Sequence, residues 1–120
     1  MPKENILKQK SFDFAIKIIN LYKQLKKDSN EFVLSRQIVA SGTSIGALVR
    51  EAEHAESLKD FVHKLSIALK EANECKYWLD LLVATGFINK ELYVSLNNDC
   101  EELLKLLIAS VKTTKARLTK

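Results

Sequence analysis

The stretch SLKDFVHKLSIALKEANECKYWLDLLVATG, Ser57 to Gly86, decides the fold. Its apolar residues Phe61, Leu65, Ala68, Ala72, Cys75, Leu79 and Leu82 recur in a 4-3-4-3-4-3 rhythm, which places them in one stripe of a helix. Such a stripe is the seam of antiparallel helices crossing at about 20°. The ends of this helix are also written in its chemistry. Ser57 stands three residues before Asp60, a capping box in which the serine hydroxyl accepts from the Asp60 amide and the carboxylate reaches back to the amide of Ser57. Gly86 suits the left-handed position that closes a helix, and Asn89 suits the N-cap of the next one.

The same spacing recurs on either side. Leu7, Ser11, Phe14, Ile18, Leu21 and Leu25 mark one segment, and Leu34, Ile38, Ser41, Ile45, Leu48, Ala52 and Ala55 a second. Tyr93, Leu96, Cys100, Leu103, Leu107 and Ser110 mark the last. Four helices follow, at about 7–28, 32–55, 58–85 and 90–117. One proline and three glycines in 120 residues leave too few turns for a sandwich or barrel. Short connections force consecutive helices to be antiparallel neighbours. The expected fold is all-α: one domain over residues 1–120, an antiparallel up-down-up-down four-helix bundle.

The first helix carries more apolar surface than one bundle needs. Phe12, Ile16 and Ile19 recur at helical spacing opposite Phe14, Ile18 and Leu21, and a helix apolar on two faces must bury both. The second face is a candidate homo-oligomer interface, and Leu104, Ile108 and Val111 beside the fourth seam point the same way. Ser41 to Ala47 includes Gly42 and Gly46 among small neighbours, a strip for close helix approach within the bundle or between subunits. It lacks the lysine-containing pattern of a phosphate-binding loop, and no strand precedes it.

The net charge of +4 is unevenly spread. Residues 1–30 hold seven lysines against three acids, and Lys112, Lys115, Arg117 and Lys120 crowd the last nine residues. The bundle topology brings both ends together, so Lys8, Lys10, Lys112, Lys115 and Arg117, with Lys3 nearby, are candidate phosphate contacts for nucleic acid. Residues 1–5 contain no apolar leader, and the most apolar stretch, Leu79 to Ile88, is too short to span a bilayer. The expectation is a cytoplasmic protein with no membrane partner. Cys75 and Cys100 fall on apolar helical positions and read as buried reduced thiols.

Catalytic chemistry finds little support. Glu51-Ala52-Glu53-His54 and Asp60-Phe61-Val62-His63 echo the motifs of di-metal carboxylate bundles, which need such groups projecting into the core. Here His54 and His63 lie off the apolar seams, and Asp60 serves as a cap. No nucleophile–base arrangement is specified, and no metal, cofactor or small-molecule substrate is expected. Adjacent Tyr77 and Trp78 cannot share a helix face, so one packs inward and the other lies at a boundary or on the surface.

Leu34-Ser35-Arg36-Gln37-Ile38, Ser41 through Ala47, Arg50-Glu51-Ala52, Ser57 through Ala72 and Tyr77-Trp78-Leu79 together resemble the bacterial four helix bundle protein family, the 23S ribosomal RNA intervening-sequence proteins. The resemblance covers nearly the whole chain. It implies an up-down-up-down bundle assembled as a pentameric ring, with no defined catalytic residues. Some members are encoded in insertions in ribosomal RNA genes, and a related branch, the accessory proteins of diversity-generating retroelements, binds a reverse transcriptase and nucleic acid. The expected function is a non-enzymatic homo-oligomer that contacts RNA or a ribonucleoprotein through basic termini. The rival is a scaffold that recruits a polymerase-like or reverse-transcriptase-like protein, and a metal-binding carboxylate–histidine bundle is a distant third.

Overall fold

The computed structural model describes residues 3–119. Four helices, α1 (Lys3–Ser29), α2 (Val33–Glu53), α3 (Leu58–Ala84) and α4 (Lys90–Leu118), form an elongated antiparallel bundle of 51 × 23 × 21 Å. Each helix packs against two others, α1 on α2 and α4, α3 on α2 and α4, and among the described residues the diagonal pairs do not meet. The α1–α4 seam is the most open of the four.

Every expected seam position of α1 is buried: Leu7, Ser11, Phe14, Ile18, Leu21 and Leu25. Elsewhere the buried stripe is wider than the seam. Ser35, Gly42 and Val49 are also buried on α2, and Leu104, Val111 and Thr114 on α4. A helix wedged between two neighbours buries a flanking position as well as the central pair. This corrects the second face drawn on α4. Leu104 and Val111 are only 7% and 8% exposed and belong to the core, which leaves Ile108, at 49%, alone on the outside.

The glycine strip packs inside the bundle. A β-carbon on Gly42 would lie 2.8 Å from Ile18 Cγ2, and one on Gly46 would lie 3.4 Å from the Ser11 carbonyl oxygen. Buried hydroxyls are satisfied within their own helices, Ser11 donating to the Lys8 carbonyl and Ser41 to that of Gln37, both at 3.1 Å.

The caps explain the turns. Ser57 Oγ accepts from the Asp60 amide at 3.0 Å, but Asp60 Oδ2 accepts from the amide of Glu56, at 3.2 Å, and not from that of Ser57. Ser57 is fully extended (φ −158°, ψ 168°), and the amide that meets the carboxylate lies one residue upstream of the one expected. At the other end of α3, Gly86 takes φ +81°. The Phe87 amide donates to the Leu82 carbonyl (2.9 Å) and the Gly86 amide to that of Val83 (3.2 Å), a Schellman closure. Asn89 Oδ1 accepts from the Leu92 amide at 2.8 Å, capping α4. The start of α2 is held by Glu31, whose carboxylate accepts from the amides of Val33 (3.1 Å) and Ser35 (2.8 Å). Among the described residues no helix is long and apolar enough to cross a membrane.

Candidate nucleic-acid interface and apolar face

The five candidate phosphate contacts fall into two groups. Lys8 and Lys10 are two residues apart on α1, so they leave the helix about 200° apart. Lys8 turns toward α2 and pairs with Glu53 at 3.2 Å, whereas Lys10 turns toward α4 and pairs with Glu102 at 2.9 Å. The hydrogen bond to Glu102 and the charge of its carboxylate raise the Lys10 ammonium above its ordinary pKa. Lys17 extends the same α1–α4 seam, 2.6 Å from Asp99. Lys8, Lys10 and Lys17 therefore strap α1 to both of its neighbours.

Lys112, Lys115 and Arg117 are exposed on the last turns of α4 and make no ion pair among the described residues. Lys112 and Lys115 lie about 60° apart around the helix, but Arg117 lies about 140° from Lys112 and points elsewhere. Lys105, seven residues before Lys112, shares its face and is also exposed. The structure thus replaces one cluster of five cations with a stripe of three, Lys105, Lys112 and Lys115. Lys105 is legible in its heptad spacing to Lys112, but it lies outside the charge crowding of the last nine residues. The side chains of Lys3 and Lys120 lie outside the described residues.

Phe12, Ile16 and Ile19 are 47%, 45% and 37% exposed, an apolar ridge along the outer side of α1. The Arg50 guanidinium of α2 lies over the Phe12 ring, 5.2 Å from its centroid. On α3, Trp78 packs against the core and Tyr77 faces outward, its ring edge-on to the indole at 5.2 Å.

The remaining chemistry-bearing groups do not converge. His54 and His63 are exposed on either side of the α2–α3 turn, and among the described residues no three His, Cys, Asp or Glu side chains come together as metal ligands would. Cys75 and Cys100 are free and fully buried, and Cys100 donates to the Ala72 carbonyl at 3.3 Å. Contact with Cys100 and burial push the Cys75 thiol well above its ordinary pKa, which suits a core residue rather than a nucleophile. A cavity of about 490 Å³ at the α2–α3 turn is lined mainly by Leu7, Val49, Ala52, Phe61 and Leu65, and its one carboxylate, Glu53, is held by Lys8.

No curated protein resembles the chain closely enough to count as a match. Among solved structures, a protein with unknown function from the S23 ribosomal protein family of Bacteroides thetaiotaomicron is 57% identical, with a TM-score of 0.91 over 92% of this chain and 99% of that one. The sequence profile described as 23S rRNA-intervening sequence protein matches residues 3–109. With that span covering most of all four helices, the chain belongs to the 23S rRNA-intervening sequence protein family.

Proposed function

We propose that the protein is a non-catalytic RNA-contacting module that works as a homo-oligomer. The observation that carries this reading is the stripe Lys105, Lys112 and Lys115, three exposed cations on one side of α4 without carboxylate partners among the described residues. Ammonium groups without fixed acceptors act here as point charges on phosphates, so the recognition proposed is of charge and backbone shape. The exposed ridge Phe12, Ile16 and Ile19 supplies the contact between copies, and assembly multiplies the stripe by the number of subunits. The family's description, 23S rRNA-intervening sequence protein, supports RNA as the polyanion.

The test is binding to a structured RNA across a salt series. Affinity is expected to fall steeply as salt rises from about 50 to 200 mM, with a logarithmic slope of about 0.7–0.9 per phosphate contact. Neutralising Lys105, Lys112 and Lys115 together should flatten that slope. An affinity indifferent to salt, or unchanged in the triple variant, rejects the phosphate model.

A further inference from the structure

Toward the end of the bundle where α2 turns into α3, the core runs out of large side chains. The seam of α2 carries Ile38, Ile45 and Leu48 and then Ala52 and Ala55, and that of α4 carries Leu103 and Leu107 and then Ser110. Small residues on two diagonally placed helices leave the space between them unfilled, and the half-open cavity of about 490 Å³ lies there. All four helices line it, Leu7 from α1, Val49 and Ala52 from α2, Leu65 from α3 and Ser110 from α4. Leu7, Val49, Ala52 and Leu65 are buried, whereas Leu58, 44% exposed, forms an apolar lip at the mouth. Sites for small ligands run to about 300–1,000 Å³, and a cavity of about 150 Å³ already holds benzene.

Three polar side chains reach this lining, Glu53, Ser57 and Ser110. Glu53 is fixed from outside: Lys8 Nζ, which borders a different hollow, sits 3.2 Å from each of its carboxylate oxygens. A carboxylate offers about four lone-pair sites, so the lysine leaves acceptors for a donor within the cavity. Ser57 Oγ accepts from the Asp60 amide at 3.0 Å and keeps its own proton to donate. The mouth is acidic, since residues 51–60 hold Glu51, Glu53, Glu56 and Asp60 against Lys59. Glu56 makes no ion pair among the described residues.

We infer that this cavity binds a small organic amine, its aromatic or short alkyl body among Leu7, Val49 and Leu65 and its ammonium on Glu53 at the mouth. The apolar body displaces loosely held water, and the head makes a charge-assisted hydrogen bond to the carboxylate. Lys8 and the ligand share Glu53 from opposite sides, and the unpaired Glu56 offsets the repulsion between the two ammonium groups. An anionic head of the same size would face Glu53 and Glu56 instead, and is disfavoured. The site needs neither RNA nor a second copy of the chain.

Titration of the full chain with naphthylmethylamine, naphthylmethanol and naphthoate, followed by methyl-region NMR at neutral pH, tests this. The amine should give saturable shifts at Leu7, Val49 and Leu65, with a Kd of about 0.1–1 mM for a probe of this size. Naphthoate should bind at least about tenfold more weakly. Glu53→Gln, at an exposed position, should weaken the amine about tenfold and leave the alcohol unchanged. Ser110→Leu should fill the cavity and abolish binding of all three probes, with the urea midpoint unchanged or raised; Ala55→Leu fills it from the opposite helix should the first variant fold poorly. No saturable shifts, shifts confined to the Phe12 ridge, or binding that survives both filling variants would remove the cavity as a site. Naphthoate binding as tightly as the amine, or an amine affinity unchanged in Glu53→Gln, would overturn the assignment to amines.

Discussion

Gly42 and Ile18 meet so closely that no side chain fits between α2 and α1. A β-carbon at Gly42 would come within 2.8 Å of Ile18 Cγ2, 2.9 Å of Cγ1 and 3.2 Å of Cβ, and Ile18 is fully buried. The atoms in the way lie at the branched base of the isoleucine, not at a flexible tip, so the clash moves backbone. Gly42→Ala should destabilise the protein by up to about 2 kcal/mol, the overpacking cost of about 1–3 kcal/mol less the gain of about 1 kcal/mol in helix propensity. Gly46→Ala, with only a 3.4 Å contact, should be neutral or slightly stabilising. Urea unfolding of both variants checks the contrast, and Ile18→Ala should partly rescue Gly42→Ala.

Gly86 is a glycine for a different reason. Nothing lies within 4 Å of a β-carbon built there, yet φ is +81°. Gly86→Ala should therefore cost about 1 kcal/mol through backbone conformation alone. The loss should appear equally in Gly86→Ser, and should be smaller in Gly86→Asn, since asparagine tolerates the left-handed region.

The two groups of lysines should behave differently with RNA. Lys112→Gln with Lys115→Gln should lower the salt slope by about 1.4–1.8 in total, two contacts' worth, with no change in unfolding midpoint. Lys10→Gln should do the opposite, leaving the slope nearly intact while loosening the α1–α4 seam, because its charge is already matched by Glu102. Anisotropy titrations alongside urea melts separate the two effects.

At high pH the bundle should weaken through Tyr93. Its hydroxyl donates to Asp80 Oδ1 at 2.6 Å, and that hydrogen bond, with some burial, raises its pKa above the usual 10.0. A folded-state pKa above the unfolded value means that stability is fully present below about pH 10 and lost as pH climbs through the raised value. Lys10 and Lys76, raised by their bonds to Glu102 and Glu101, act in the same direction. Tyr93→Phe should be less stable at neutral pH and should show a shallower alkaline decline in thermal melts.

Much of this architecture was legible because helix periodicity is a local property. Every seam residue of α1 fell where spacing placed it, and Gly86 and Asn89 acted at the helix ends as their chemistry suggests. What spacing could not supply was the neighbour. Leu104 and Val111 looked like surplus apolar residues until the packing of α4 against both α1 and α3 widened its buried stripe. Lys8 and Lys10 looked like a pair of free charges because Glu53 and Glu102, which hold them, are 45 and 92 residues away in sequence and meet them only through the register of three helices. That Lys105, Lys112 and Lys115 share one side of α4 is legible in their spacing, whereas that no carboxylate among the described residues pairs with them is not.

The straps on α1 also bear on how the protein should be handled. Lys8–Glu53, Lys10–Glu102 and Lys17–Asp99 are all partly solvated, so an electrolyte that competes for a polyanion on α4 also screens these pairs and weakens, by at most about 1 kcal/mol each, the hold of the first helix on its neighbours. A titration with sodium chloride is thus a perturbation of two equilibria at once, and a far-ultraviolet spectrum at each ionic strength is the control that keeps the ligand's response apart from the host's.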